Sequence, residues 1–269
     1  VHSLLSENEG KRALERAWLI YTPVWGAITG VVMLGGFAEQ WGDGPLLGFG
    51  VLLMLGTYLA AWLFMPASER ARPWLERTAV KGSVAVTLLA FGLNYFQTPF
   101  FFDVLHMRYG FRATLTIERN PVFLYFVTVA YFATYSVLAC VAFRALCRAG
   151  RAGRIAAYLI VPVALAFLET ALNANPWMTR LFCYGEPALM YGFGSLAYGL
   201  SLGLALPGWI TFDEAPATRT ALLAVVGWVV LAVALDTVAV AAMRHGIAPH
   251  FTEVEDPTSP EWDARGCLE

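Results

Sequence analysis

The chain has 269 residues, of which 58% are hydrophobic and only 14% charged, where an ordinary soluble domain carries roughly 25% charged residues. With a mean hydropathy of +0.58, this excludes a disordered chain, a coiled coil and a typical soluble enzyme, and leaves a polytopic membrane protein. A net charge of −2 offers no large basic surface to hold nucleic acid.

A membrane-crossing helix needs about 20 mostly apolar residues. Seven stretches qualify: Arg16–Phe37, Pro45–Met65, Val80–Phe102, Pro121–Phe143, Ile155–Asn173, Pro187–Ile210 and Thr220–Met243. Three begin with proline, which suits a first helical turn. The third is expected to end or bend near Pro99. The expected fold is all-α: a bundle of about seven transmembrane helices over residues 16–244, after a polar segment over residues 1–15. The tail, residues 245–269, is acidic and contains proline, and reads as disordered. The polar start and the long first apolar stretch argue against a cleavable signal peptide.

Basic residues set orientation. With the N-terminus inside, the inner segments carry 12 Lys and Arg and the outer ones 6. The outer arginines Arg108, Arg112 and Arg119, between the third and fourth spans, run against this split. Arginine outnumbers lysine 16 to 2, a bias that points to a GC-rich genome and a bacterial inner membrane; the endoplasmic reticulum is the eukaryotic equivalent. Cys140, Cys147, Cys183 and Cys267 show no metal-ligand spacing, so neither zinc nor haem is expected. No nucleotide, flavin or metal motif is present, so no cofactor is expected. No internal repeat supports an inverted-repeat transporter.

Charges inside membrane helices are costly and mark function. Glu169 and Asp236 lie well inside spans, Glu186 sits at the lip of the sixth, and Asn94 is an amide within the third. Alternate helices run in opposite directions. Asn94, Glu169 and Asp236 fall late in their helices, and Tyr125, Glu186 and Tyr191 early in theirs. All six therefore share one half of the bilayer, which predicts a pocket within one leaflet. Glu169 and Asn173 share a face at i, i+4. Tyr191, Ser195 and Tyr198 form one polar-aromatic stripe, and Thr128, Tyr131 and Tyr135 another. Trp18, Tyr21 and Trp25 line one face of the first helix. Gly199 and Gly203 form a GxxxG pair that reads as close helix packing. Each polar residue also has a structural reading: an interhelical hydrogen bond for Glu169, Asp236 or Asn94, and a first-turn carboxylate for Glu186.

Ordered blocks of residues carry a resemblance. They are Tyr21-Thr22-Pro23-Val24-Trp25; Lys81 with Asn94-Tyr95-Phe96 thirteen positions later; Thr98, Phe101-Phe102 and Val104-Leu105; and Leu168-Glu169-Thr170. Glu186, Met190, Tyr191 and Tyr198 follow, then Pro207 with Asp213-Glu214, and Leu235-Asp236. Together they resemble cycloeucalenol cycloisomerase, the plant cyclopropylsterol isomerase family, over nearly the whole chain. Gln97, Pro99 and Asp103 depart from the family pattern, and Glu186 stands where aspartate is more usual.

The resemblance implies a sterol substrate within the lipid bilayer and no cofactor. Such an enzyme converts cycloeucalenol to obtusifoliol. It protonates the bridging carbon of the 9,19-cyclopropane ring, passes through a cation near C9 and loses the C8 proton to give the Δ8 olefin. The chemistry needs a protonated acid, which an apolar setting favours by disfavouring the charged form; Glu169 is the first candidate and Glu186 the second. It needs an aromatic wall that tolerates a cation, for which Tyr95, Phe96, Tyr191 and Tyr198 are candidates. It needs a base, Asp236 or a tyrosine–water chain. Asn94 would position the acid or bind the sterol 3-hydroxyl. The alternatives are a sterol Δ8–Δ7 double-bond isomerase, a non-catalytic sterol- or lipid-binding membrane protein and, last, a transporter.

Overall fold

The structure is a computed structural model and describes residues 4–256. Helix α1 (Glu9–Leu34) leads through the one-turn α2 (Phe37–Gln40) to α3 (Asp43–Leu63). The short α4 (Ala67–Arg70) and a 3-10 turn (Trp74–Glu76) precede α5 (Thr78–Phe96) and α6 (Thr98–Asp103). Strands β1 (Met107–Tyr109), β2 (Thr116–Ile117) and β3 (Asn120–Pro121) fill the next connection before α7 (Val122–Cys147) and α8 (Gly150–Asn173). Strand β4 (Phe182–Tyr184) and the short α9 (Pro187–Leu189) follow. A π-helical turn (Met190–Gly194) then joins α10 (Ser195–Thr211), and α11 (Leu222–Ala242) comes last. Seven helices are long and apolar enough to cross a membrane, so the chain is a multi-pass integral membrane protein.

Local chemistry explains the helix ends. Asn8 caps α1: its side-chain oxygen accepts from the Gly10 and Lys11 amides, two donors that a helix start leaves open. The third span breaks where proline removes a donor, with α5 ending at Phe96 and Pro99 in the first turn of α6. The central element is α7. Of its most apolar window, 61% is buried, the largest share among the spans, and it packs against α1, α3, α5, α8 and α10. The aromatic face of α1 holds this packing. Trp18 Nε1 donates to the Thr57 carbonyl, Tyr21 Oη to the Leu53 carbonyl and Trp25 Nε1 to Thr134 Oγ1. Gly199 brings α10 onto α8 so closely that an added Cβ would lie 2.9 Å from Val163 Cα, a direct packing role for the first glycine of the GxxxG pair.

One end of the bundle is fastened by buried charges. Lys11, 1% exposed, donates to the Trp209 carbonyl at 2.6 Å and pairs with Glu214 at 2.6 Å. Arg144 bridges Glu214 at 2.8 Å and Glu15 at 2.6 Å. Beside them Lys81 pairs with Asp213, and both side chains are buried. The segment before α1 joins this network: Ser6 Oγ donates to the Glu214 carbonyl, and Asn8 Nδ2 to the Ala215 and Thr218 carbonyls.

Burial pushes the Glu214 carboxyl up, but the Arg144 hydrogen bonds and the Lys11 charge outweigh it and hold the group below the usual carboxylate range. A depressed pKa means that the pair's stabilisation is fully present above the unfolded value, about 4.3 for glutamate, and is lost as pH falls through the lower folded value. Glu214→Gln is therefore expected to lower the thermal midpoint at neutral pH by roughly 2–4 °C. The difference from the parent should shrink in acid. A gap between the two midpoints that is equal at neutral and acid pH would show that the charge is not what stabilises.

The opposite end is closed differently. Strands β1 and β4 pair antiparallel, with Met107 opposite Tyr184 and Tyr109 opposite Phe182. Strands β2 and β3 form a tight hairpin whose two turn residues, Glu118 and Arg119, have φ of 51° and 63°. Such left-handed pairs are what two-residue hairpins require. The conformation aims Arg119 at Asp103, 2.6 Å away, which also takes Arg244 at 2.8 Å. Asp103 is thus a buried ion-pair centre.

The expected disorder of the tail is corrected for residues 245–256. A π-helical turn (Met243–Ile247) and a 3-10 turn (Ala248–His250) continue α11. Beyond them the Glu255 amide donates to the Asp103 carbonyl, His106 Nε2 hydrogen-bonds the Glu253 carbonyl, and Arg108 pairs with Glu255. Residues 257–269 lie outside the described residues.

Candidate functional site

A cavity of about 120 Å³ lies between the third span, α7, α8 and α10. The β1–β4 ribbon is its ceiling. Side chains alternate across a strand, so Met107, Tyr109, Phe182 and Tyr184 all line the cavity, while Arg108 turns the other way to hold Glu255. The remaining wall is largely aromatic, with Phe101, Tyr131, Phe132 and Tyr198. Burial pushes the Tyr109 and Tyr184 phenols above their ordinary range. Both ceiling tyrosines are therefore neutral at physiological pH, and neither offers a nucleophilic phenolate.

Glu169 is the acid in this wall. It and Asn173, one turn on, both line the cavity, as their i, i+4 spacing predicts. Its Oε2 is buried without a hydrogen-bond partner. The Tyr198 and Tyr135 phenols lie close to its carboxyl, and Tyr135 Oη is likewise buried without a hydrogen-bond partner. No lysine, arginine or histidine pairs with Glu169 among the described residues. Removing a carboxylate's charge from water costs several kcal/mol unless a cation repays it.

Asn94 also lines the cavity. Its Nδ2 donates to the Ala90 carbonyl at 2.7 Å, and its Oδ1 accepts from Asn120 Nδ2 at 2.7 Å. Asn120 is fully buried and its own Oδ1 is unpartnered. Asp236 is 1% exposed and stands behind the wall rather than in it. A chain leads to it: Gln97 Nε2, on the cavity, donates to Ser201 Oγ at 2.5 Å, and Ser201 donates to Asp236 Oδ1 at 2.5 Å.

Four residues expected at the site lie elsewhere. The Glu186 side chain is 58% exposed and faces His106 at 3.4 Å; an acid so hydrated lacks the apolar setting the chemistry asks for. Tyr95 and Phe96 are exposed on the outer face of α5, packed against each other. Tyr191 donates to the Ala174 carbonyl at 2.9 Å and packs on Phe167, outside the cavity lining. Sequence reasoning missed the ceiling residues, Gln97 and Asn120 as site components. The ribbon strands are two or three residues long and carry no periodic signal, and Gln97 was read only as a departure. Thr128, Tyr131 and Tyr135 are visible in the sequence as a stripe, but spacing alone does not say that Thr128 and Tyr131 line the cavity.

Among known proteins, no family, curated protein or solved structure matches this chain. The functional reading therefore rests on the residues themselves and on the ordered blocks set out above.

Proposed function

We propose that the chain is a membrane isomerase that opens the 9,19-cyclopropane ring of a sterol such as cycloeucalenol, in a bacterial inner membrane. The observation that carries this reading is Glu169: an acid with no cationic partner among the described residues, in the wall of an aromatic cavity between membrane-spanning helices. The block resemblance names the same residue.

In this reading Glu169 gives its proton to the bridging carbon, and one cyclopropane bond breaks to leave a cation at C9. Aromatic faces stabilise a nearby cation by about 0.5–2 kcal/mol each. Phe101, Phe132 and the neutral tyrosines supply such faces and no strong nucleophile. The C8 proton leaves through the Tyr198 hydroxyl to the Glu169 carboxylate, which regenerates the acid. No net proton or electron is consumed. Asn94, anchored by Asn120, presents a polar edge for the substrate. Asp236 is a positioning residue that holds Ser201 and Gln97 in the wall.

The cavity is close in size to a ~150 Å³ void that holds benzene. A sterol tetracycle is larger than this void, so its entry requires flexible side chains such as Met190 and Phe101 to move aside.

The test is product analysis. Yeast membranes containing the chain are fed cycloeucalenol and the sterols are separated by gas chromatography–mass spectrometry. Obtusifoliol, absent from the empty-vector control, is the expected result. Unchanged substrate in the presence of folded protein would reject this substrate. A shift of a supplied Δ8 sterol to Δ7 would instead favour the double-bond isomerase.

A further inference from the structure

A second cavity, of about 440 Å³, lies between α3 and α5 toward the end of the bundle that carries the buried charges. It shares no lining residue with the first. Its floor is apolar: Ala61, Met65, Ala79, Val80 and Val84. Its polar groups are nearly spent internally, since Tyr58 and Thr87 hydrogen-bond each other at 2.5 Å and Thr87 donates to the Ser83 carbonyl. A sterol hydroxyl or any other polar ligand would find little to hold inside it.

Two tryptophans of this lining, Trp62 and Trp74, are 48% and 59% exposed. Each carries an arginine on its ring: Arg70 lies 5.5 Å from the Trp62 centroid and Arg77 lies 5.6 Å from that of Trp74. Trp at this level is an interfacial anchor. Among the described residues both guanidiniums donate their hydrogen bonds to backbone carbonyls only. Arg70 donates to Met65 and Leu63, and Arg77 to Arg72 and Arg70. Arg72, by contrast, pairs with Glu69 at 3.3 Å. Among the described residues neither Arg70 nor Arg77 has a carboxylate partner within ion-pair distance.

We propose that this groove is a binding site for an anionic glycerophospholipid of the adjoining leaflet. One acyl chain lies in the apolar trough between α3 and α5. The phosphate sits at its mouth against Arg70 and Arg77, which are positive, oriented and without a counter-ion. Phosphate is the group that a planar guanidinium donor set matches. Charge complementarity selects an anionic headgroup over a zwitterionic one by about fivefold for each arginine near the surface.

The full-length protein in detergent is exchanged with an equimolar mixture of phosphatidylglycerol and phosphatidylcholine of the same acyl chains, and retained lipid is counted by native mass spectrometry. One phosphatidylglycerol per chain, retained about 25-fold over phosphatidylcholine (about fivefold for each of the two arginines), is expected. Arg70→Gln/Arg77→Gln should abolish the preference while leaving total lipid retention similar. Val84→Trp, which fills the trough, should lower retention of both lipids. Equal retention of the two lipids by the parent protein overturns the proposal without any variant, as does an undiminished preference in the double variant. Sterol turnover is not part of the readout, so the result stands apart from the isomerase reading.

Discussion

Glu169→Gln is expected to lower ring-opening turnover by at least about 10²-fold, the usual scale for a general acid, while folding and sterol binding persist. The amide keeps the shape of the side chain and has no proton of comparable acidity to give. Because the Glu169 carboxyl has no ion-pair partner among the described residues and has an unsatisfied buried oxygen, the substitution breaks no described ion pair whose loss would unfold the site. Sterol binding, read by retention of radiolabelled substrate, separates loss of chemistry from loss of the pocket. Retained turnover in Glu169→Gln would sink the assigned role.

The same assay separates the two acids that the sequence left as rivals. Glu186 is more than half exposed beside His106, so Glu186→Gln is expected to turn over within about twofold of the parent. A large loss there and none at Glu169 would mean that the reacting pocket lies at the lip of α9 instead. Tyr198→Phe removes the hydroxyl that reaches the Glu169 carboxyl but keeps the ring. It should slow turnover less than Glu169→Gln, because the wall survives and only the proton's return is impaired.

The spans were readable because hydropathy over about 20 residues is a coarse, robust quantity, and every expected span overlaps a helix of the structure. Glu169 was readable because one acid in an apolar run is conspicuous. What the sequence did not resolve was rotation about each helix axis. Adjacent residues point about 100° apart on a 3.6-residue turn. Asn94, facing the cavity, therefore turns Tyr95 and Phe96 away from it. Treating the three as one block assigned all of them to the pocket. The ceiling was missed for another reason. Its four lining residues come from two connections 75 positions apart (107 and 182) and meet only through backbone pairing, which no local pattern encodes. The acidic, proline-containing composition of the tail suggests disorder, but over residues 245–256 the Glu255 amide bonds the Asp103 carbonyl, the Glu253 carbonyl bonds His106, and the Glu255 carboxylate pairs with Arg108.

The ordered blocks divide into two groups by their place in the bundle. Glu169, Asn94 and Tyr198 line the cavity, whereas Lys81, Asp213 and Glu214 lie in the buried charges at the far end. Lys81 precedes Asn94 by thirteen residues, about 20 Å along the helix, so it cannot touch what Asn94 touches. Its work is to neutralise Asp213, which is 0% exposed. That carboxylate also accepts from Thr78 Oγ1 at 2.8 Å and from the Thr220 amide at 2.7 Å. It holds its own backbone at a φ of 45°, a conformation that a non-glycine residue keeps only when its surroundings impose it. Lys81→Met keeps the stem and removes the charge, leaving Asp213 buried without a cation. Breaking a buried pair in this way costs about 3–5 kcal/mol, or roughly 6–20 °C in thermal midpoint for a chain of this size. Turnover per folded molecule should be unchanged, because the cavity is remote. Lys81→Met/Asp213→Asn removes the orphaned charge while leaving a carbonyl oxygen for the Thr220 amide, and should recover most of the loss. If the double variant were no more stable than the single one, Lys81 would be acting through something other than its charge. If the single variant stayed stable but lost turnover, the far end of the bundle would belong to the catalytic machinery after all.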